Sequence, residues 1–473
     1  MSAGGSEARG LARGIVGTAR VTAFGTSIVA PAASVITVLV VMTSFAGFAS
    51  PLVVVITFAG SLCCALSISE YARRVPSAGW AYTYNSRGLG RTAGFLTGWM
   101  MMFGYAMFVP AGIALTSVYA SQLLAAEGPR VTIAPWLLFL VILAAVVFVA
   151  YLGIGTSSAT DLLLVAGEMA VFAALAITIL VKIRPAHYSA AAFSPASSPG
   201  GQASDIASAM IYGITAFAGF EAAAALGEEA RNTRRSVPAS IVGIVIVTGI
   251  FYLLVVCAET FAVGRHGVAG FLAQPSPLGY LTSRYWSPSV LWVINLVVVL
   301  TGLGFVIAAV NAGIRVQFAM AREGALPGSL TRMSARRTPV AAIGCLAALT
   351  LVLGLPLTVA YGARAFSYLA GAGSLAVVLV YLSVNFAVIR AFRTEFRSEF
   401  RPWRHLVIPA VAAVIFLFPL WGIIHPGAYT LVNLLPFIAL GWLVLGVIVA
   451  LIIRARRPAS FESLGTVFMS GEG

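Results

Sequence analysis

The chain has 473 residues, of which 60% are hydrophobic and only 9% charged. Ordinary soluble domains carry ~25% charged residues, so a soluble globular fold is excluded. Its net charge of +14 does not point to nucleic acid, because the basic residues sit in short loops beside apolar runs instead of forming a patch on a soluble face.

The apolar runs are each long enough to cross a hydrocarbon core of ~30 Å as a helix, and the alternating pattern of a barrel is absent. Twelve spans are expected, at 22–44, 50–72, 93–124, 134–154, 160–182, 205–227, 238–263, 287–318, 340–361, 366–392, 404–424 and 429–453. Alternate loops collect the arginines: of the 29 basic residues only Arg130, Lys182, Arg184, Arg265, Arg284 and Arg364 fall on the opposite side. That imbalance predicts both termini in the cytoplasm. The polar stretch 1–21, with Arg9, Arg13 and Arg20, reads as an uncleaved cytoplasmic leader, since the run after it is too long for a signal peptide. Residues 454–473 read as a cytoplasmic tail.

Cys63, Cys64, Cys257 and Cys345 all lie inside apolar runs, where small core residues are the expected reading. The four histidines, His187, His266, His405 and His425, are scattered in loops and span ends. No metal-spaced or nucleophile-base set emerges, so no enzyme, metal or cofactor is expected.

In chain order, the first span contains Gly25-Thr26-Ser27-Ile28-Val29-Ala30-Pro31-Ala32-Ala33-Ser34. Pro31 lacks an amide hydrogen and disfavours helix at the residue before it. In the third span Tyr105 and Trp99 are candidate cavity residues, as is Tyr368 in the tenth, against a packing role. The fifth span carries Glu168, a charge at membrane depth. Residues 183–204 are rich in Pro, Ser and Gly and read as an irregular outer loop. The second outer loop, 264–286, carries Pro275 and Pro277. The sixth span carries Gly219-Phe220-Glu221. A charge there costs ~2.5 to 3.5 kcal/mol on insertion scales, so Glu221 is the first functional suspect. Glu259 sits at the outer end of the seventh span, where it could snorkel to the interface. Asn295, Asn311 and Asn385 are expected to bond across helices. The run 389–405 reads as a positive inside loop, with contact to anionic lipid headgroups as the alternative.

The two interruptions fall in the first and sixth spans, which correspond if spans 1–5 and 6–10 are repeats of five. Interrupted helices in matching places of two halves are the best sequence pointer to a transporter's midplane site.

Three stretches carry a family likeness: EYARRVPSAGWAYTYNSRGLGRTAGFLTGW at 70–99, FAGFEAAAALGEEARNTRRSVPASI at 217–241 and NAGIRVQFAMAREGALPGSL at 311–330. Together they resemble the amino acid-polyamine-organocation superfamily of secondary transporters, from about residue 20 to 395. The resemblance implies an all-α polytopic membrane protein with twelve transmembrane helices. Its fold would be the leucine-transporter type: a first inverted repeat over 22–182, a second over 205–392, and two further helices over 393–453. It implies a substrate held by free backbone at the two breaks, near Ser27, Ile28, Ala30, Ala32 and Ala33 on the first helix and Phe217, Ala218 and Gly219 on the sixth. This chain has Ala30-Pro31-Ala32-Ala33 where many members have a Gly-Ser-Gly break.

Glu221 matches a position linked in the family to gating or proton coupling; a protonated cap on unwound backbone is the structural alternative. Several proton-coupled relatives place a Lys near Glu168, so the sign here is reversed. Glu168 could carry a proton, ligate sodium with Thr301, or only bond a neighbouring helix. Glu70, Glu228 and Glu229 lie beside the inner arginines and could bridge them. The implied function is secondary active transport of an amino acid or related amine across the cytoplasmic membrane by alternating access, as proton-coupled uptake. An amino acid/amine exchanger is the close alternative; a membrane sensor or enzyme is the remote one. Expected partners are the small substrate, protons or sodium, and membrane lipids, with no nucleic acid. The small and aromatic lining favours a neutral substrate.

Overall fold

A computed structural model describes residues 17–75, 80–127, 133–153, 158–226, 232–274, 276–334, 336, 338–424, 434–456 and 458. Expectations for most of the leader (with Arg9 and Arg13), most of the tail, residues 76–79 of the first family-like stretch, Arg130, Glu228, Glu229, Arg231, Pro275, Arg337, His425 and Arg457 lie outside the described residues.

Within these residues the elements are helices, joined by a lone bridge between Met333 and Pro339. The long ones are α1 (Thr18–Val29), α2 (Leu39–Ala46), α3 (Ser50–Ala72), α4 (Trp80–Gly88), α5 (Arg91–Glu127), α6 (Pro135–Leu152), α7 (Ser158–Lys182), α8 (Ala203–Phe217) and α9 (Thr233–Val263). They continue with α10 (Leu291–Arg322), α11 (Val340–Tyr361), α12 (Arg364–Thr394), α13 (Ile408–Ile424) and α14 (Leu435–Arg456). Prolines open several of them: Pro51 and Pro135 stand in the first turn, where the missing amide hydrogen leaves no bond unmade.

Eleven runs among the described residues are long and apolar enough to cross a membrane, with Thr18–Ala72 counted as one run of 55 residues. A single helix of that length would extend ~80 Å, far beyond a ~30 Å hydrocarbon core. The run is in fact broken twice. Helix α1 stops at Ala30, and α2 ends at Gly47, whose φ of +57° turns the chain before α3.

Helices α5, α8 and α12 form the centre. Helix α5 packs against both α10 and α12, α3 against α9, and α8 against α2 and α12. Small residues allow the close approaches: a Cβ built on Gly88 would meet Ala387, and one on Gly373 would lie 3.0 Å from the carbonyl oxygen of Gly104. Helices α6, α11 and α14 instead present large apolar side chains outward, including Phe148, Val352 and Phe437. In lipid such exposure carries no penalty, because the surrounding chains are as apolar as the side chains. Helix α14 is pinned to α5 by a ring pair. Trp99 and Trp442 stack with centroids 4.7 Å apart, and each indole N–H donates to the other's backbone carbonyl, at 2.9 and 3.0 Å.

On the arginine-rich side, Arg74 pairs with Glu399 and Arg87 with Glu395. The acidic members of the otherwise basic 389–405 run thus tie the end of α12 to α3 and α4. Glu70 lies 3.7 Å from both Arg404 and His405, so its partners come from the eleventh span and not from the arginines next to it in sequence. On the other side, the 183–204 loop is more ordered than its composition predicts. It forms three short 3-10 turns, with Ala192 and Ser197 buried and Pro199 against Gly47. The 264–286 loop holds two short helices, Val268–Leu272 and Pro277–Tyr285. Among the cysteines, only Cys64 is buried; Cys63 and Cys257 are half-buried and Cys345 is exposed, where the expectation was a core position for all four.

Candidate functional site

Both expected interruptions are present. Helix α1 ends when Ala30 adopts left-handed backbone (φ 45°, ψ 65°), which costs an L-residue about 1–2 kcal/mol. Pro31 then starts a short turn, Pro31–Ala33, followed by a wider π-helical turn, Ser34–Val38. Helix α8 ends at Phe217, and the chain passes through Ala218 and Gly219 (φ +113°) into a 3-10 segment, Phe220–Leu226.

The two breaks touch, backbone on backbone. A Cβ on Gly219 would stand 2.8 Å from the carbonyl carbon of Ile28 and 2.9 Å from the amide nitrogen of Val29. Only a residue without a Cβ, and with access to positive φ, fits there.

Beside this contact lies a cavity of about 820 Å³ of space not filled by atoms, open solvent included. Its walls are apolar, with Met101, Phe108, Phe305, Phe366 and Val377 among them. The expected site residues Ile28, Ala30, Ala33, Tyr105, Ala218, Gly219 and Glu221 all line it. Three others stand back from it. Ser27 is half-buried on α1, Ala32 is wholly buried, and Phe217 is packed between the rings of Phe58 and Tyr252. Of the aromatic candidates, Tyr105 faces the cavity, whereas Trp99 is spent on Trp442 and Tyr368 on Tyr361.

Glu221 is 4% exposed and hydrogen-bonded. Its Oε2 accepts from the Tyr381 hydroxyl at 2.6 Å and from the Gly219 amide at 2.8 Å. Carboxylates at such depth persist when neighbouring groups satisfy their oxygens. Two amides of the α8 break are thereby taken within the protein: Gly219 by Glu221, and Ala218 by the carbonyl of Thr215 at 3.0 Å.

Glu168 on α7 is 6% exposed and makes hydrogen-bonding contact with Thr301 on α10; its Oε2 is buried without a partner. Helix α7 packs on α1 and on the Pro31–Ala33 turn, so this carboxyl stands behind the first break and outside the cavity lining. Thr301 has one hydroxyl hydrogen and stands 2.8 Å from the carbonyl of Val297.

Glu259 departs from expectation. It does not snorkel: it is 3% exposed, and neither carboxylate oxygen has a hydrogen-bond partner. Asn385 does bond across helices, donating to the sulfur of Cys64 at 3.3 Å and to its own helix at the carbonyl of Tyr381.

The sequence reading missed Tyr381, the hydroxyl that holds Glu221, together with Trp80, Met101 and Phe366 in the wall. Tyr381 lies one helical turn before Asn385, which had been singled out. That period was the available signal.

Paired helix breaks around a cavity agree with the comparison against protein families, where the model of the amino acid permease family matches residues 16–459. The chain belongs to this family. It is thus a permease of the amino acid-polyamine-organocation superfamily, an integral membrane protein and not an enzyme. The permease is 26% identical over 407 residues to the branched-chain amino acid permease BcaP of Lactococcus lactis subsp. cremoris, covering 80% of this chain and 83% of the relative. It is 27% identical over 402 residues to the branched-chain amino acid permease BcaP of Bacillus subtilis, covering 81% of each. It is also 24% identical over 415 residues to the methylthioribose transporter of Bacillus subtilis, covering 84% of this chain and 85% of that protein. The family and the two amino acid permease names, with a further transporter beside them, support a transporter of amino acids or amines.

Proposed function

We propose that the permease takes up a neutral, branched aliphatic amino acid together with a proton, by alternating access. The observation that carries this reading is a single arrangement: two broken helices in backbone contact beside an apolar cavity that holds one buried carboxyl group. Helix ends carry about half a charge, negative at a C-terminus and positive at an N-terminus. The carbonyl end of α1 at Ile28–Ala30 therefore suits the substrate's ammonium, and the Pro31–Ala33 turn, through Ala33, suits its carboxylate. Met101, Phe108, Phe366 and Val377 then suit an aliphatic side chain, a choice supported by the branched-chain names of two relatives.

The twelve-span count follows if Thr18–Ala72 crosses twice, at the Gly47 turn. Spans 1–5 and 6–10 are then inverted repeats, with both termini in the cytoplasm on the arginine-rich side. Glu221 is the group that links the proton to the substrate. It is held by Gly219, so a change in its charge acts directly on the break that faces the ligand. Glu168 is a second proton carrier behind the first break, supported by its burial and by its unpartnered Oε2.

Uptake of labelled leucine, isoleucine and valine into proteoliposomes tests the reading. An inward proton gradient is expected to drive accumulation, and neutral competitors are expected to outcompete lysine and putrescine. Transport of none of the three amino acids would sink it.

A further inference from the structure

Glu259 lies on the side of α9 that faces the interior. Positions 252, 255, 256 and 259 recur at the spacing of one helical face, and Tyr252, Val255, Val256 and Glu259 are each no more than 3% exposed. Tyr252 fixes where that face points. Its hydroxyl donates to the Ala216 carbonyl at 2.7 Å and its ring meets Phe217 edge-on, at the end of α8 beside the break. Glu259 is seven residues farther along, ~10 Å nearer the arginine-poor side.

Its surroundings offer no counter-charge. On α9 itself the titratable groups are Cys257 and Tyr252, with Arg234 and Arg235 at the far end. On the elements packed against α9, the arginine-poor half of α3 has no titratable group before Cys63, and residues 31–46 have none. Helix α8 brings Asp205, bound to the Ser198 hydroxyl and the Gly200 amide, and Tyr212. Helix α7 brings Glu168, in contact with Thr301, and Lys182, which donates to the Tyr285 carbonyl. Helix α1 brings Arg20 at its arginine-rich end, the segment Phe220–Leu226 brings Glu221, held by Tyr381 and Gly219, and Tyr188 meets Phe261 edge-on. Beyond α9, Arg265 donates to the Ala196 carbonyl, and His266 follows it. None of the described cations forms an ion pair with Glu259. An ionised carboxylate shut away from water, with both oxygens unsatisfied and no cation, is not tolerated; the group stays neutral instead.

We propose that Glu259 is a proton-binding site on the arginine-poor side of the cavity, occupied while that half of the permease is closed and emptied when water reaches it. The carboxyl binds and releases one proton with no other bond made or broken. This rests on the proton-coupled reading for its use in transport, but the occupancy itself is measurable without transport.

The experiment uses the full-length permease in phosphatidylcholine–phosphatidylglycerol vesicles, as wild type and Glu259→Gln, a neutral isostere. Infrared difference spectra at neutral pH are expected to show a protonated-carboxyl C=O band in the wild type that the variant lacks. No such difference overturns the proposal. Leucine uptake against external pH is the second readout. A step limited by one proton responds by up to about tenfold per pH unit, and the variant is expected to respond about threefold or less. With the band present, a variant whose profile superposes on a pH-sensitive wild type overturns the claim that the site empties during transport. If wild-type uptake ignores pH altogether, the proton-coupled reading fails, and the occupancy of Glu259 stands or falls on the band alone.

Discussion

Two helix contacts in this permease are made in opposite ways. At the breaks, Gly219 meets the backbone of Ile28 and Val29 and the Ile28 side chain, and a carboxyl group holds the turn through its amide. Between α5 and α14, two indoles stack and exchange backbone bonds. The first contact satisfies its polar groups inside an irregular backbone, and the second leaves both helices intact. Irregular backbone at membrane depth persists where protein or a cavity covers it, as at the first contact.

Gly219→Ala is the most severe way to test this difference. The new Cβ would meet the backbone of α1 at under 3 Å and would strain φ +113°, costing about 3 kcal/mol. Uptake is expected to fall by about 100-fold, since small misplacements at a site cost that much. Near-normal uptake by a folded variant would break the comparison from the side of the site. Trp442→Ala addresses the other side. Loss of the stack and both bonds is expected to lower stability by about 2 kcal/mol, less than in a soluble core because lipid replaces some ring contact. Thermal unfolding should register it, while the KM of the folded variant stays unchanged. A changed KM would show that α14 acts on the site.

A smaller effect is expected from Tyr381→Phe. It removes one donor to Glu221, costs about 1–2 kcal/mol, and should lower uptake without lowering expression. Arg87→Ala should do least. Its pair with Glu395 is about a third exposed, which limits the loss to under ~1 kcal/mol.

Much of the site was legible from residue chemistry. Pro31 and Gly219 disturb helices wherever they stand, and Glu221 is too costly at that depth to be incidental. Packing was not legible in the same way. Hydropathy passes both α5 and α14 as spans and does not say that one is central and the other faces lipid, because lipid and a neighbouring helix are both apolar. Tyr381 reaches Glu221 across 160 residues of chain, a distance that no local pattern spans. Glu259 was misread for a related reason. Its place near a span end suggested the interface, but the helical face it shares with Tyr252 turns it inward. Glu395 and Glu399 were hidden in a run whose basic residues dominated its reading.

The account turns on Glu221 as the link between proton and substrate. The most direct measurement is accumulation of labelled leucine in proteoliposomes under an inward proton gradient, for wild type and Glu221→Gln, alongside leucine exchange at equal pH. The account predicts that the wild type concentrates leucine against its gradient, while the variant still exchanges leucine but no longer concentrates it. Gradient-driven accumulation by Glu221→Gln equal to that of the wild type would contradict it.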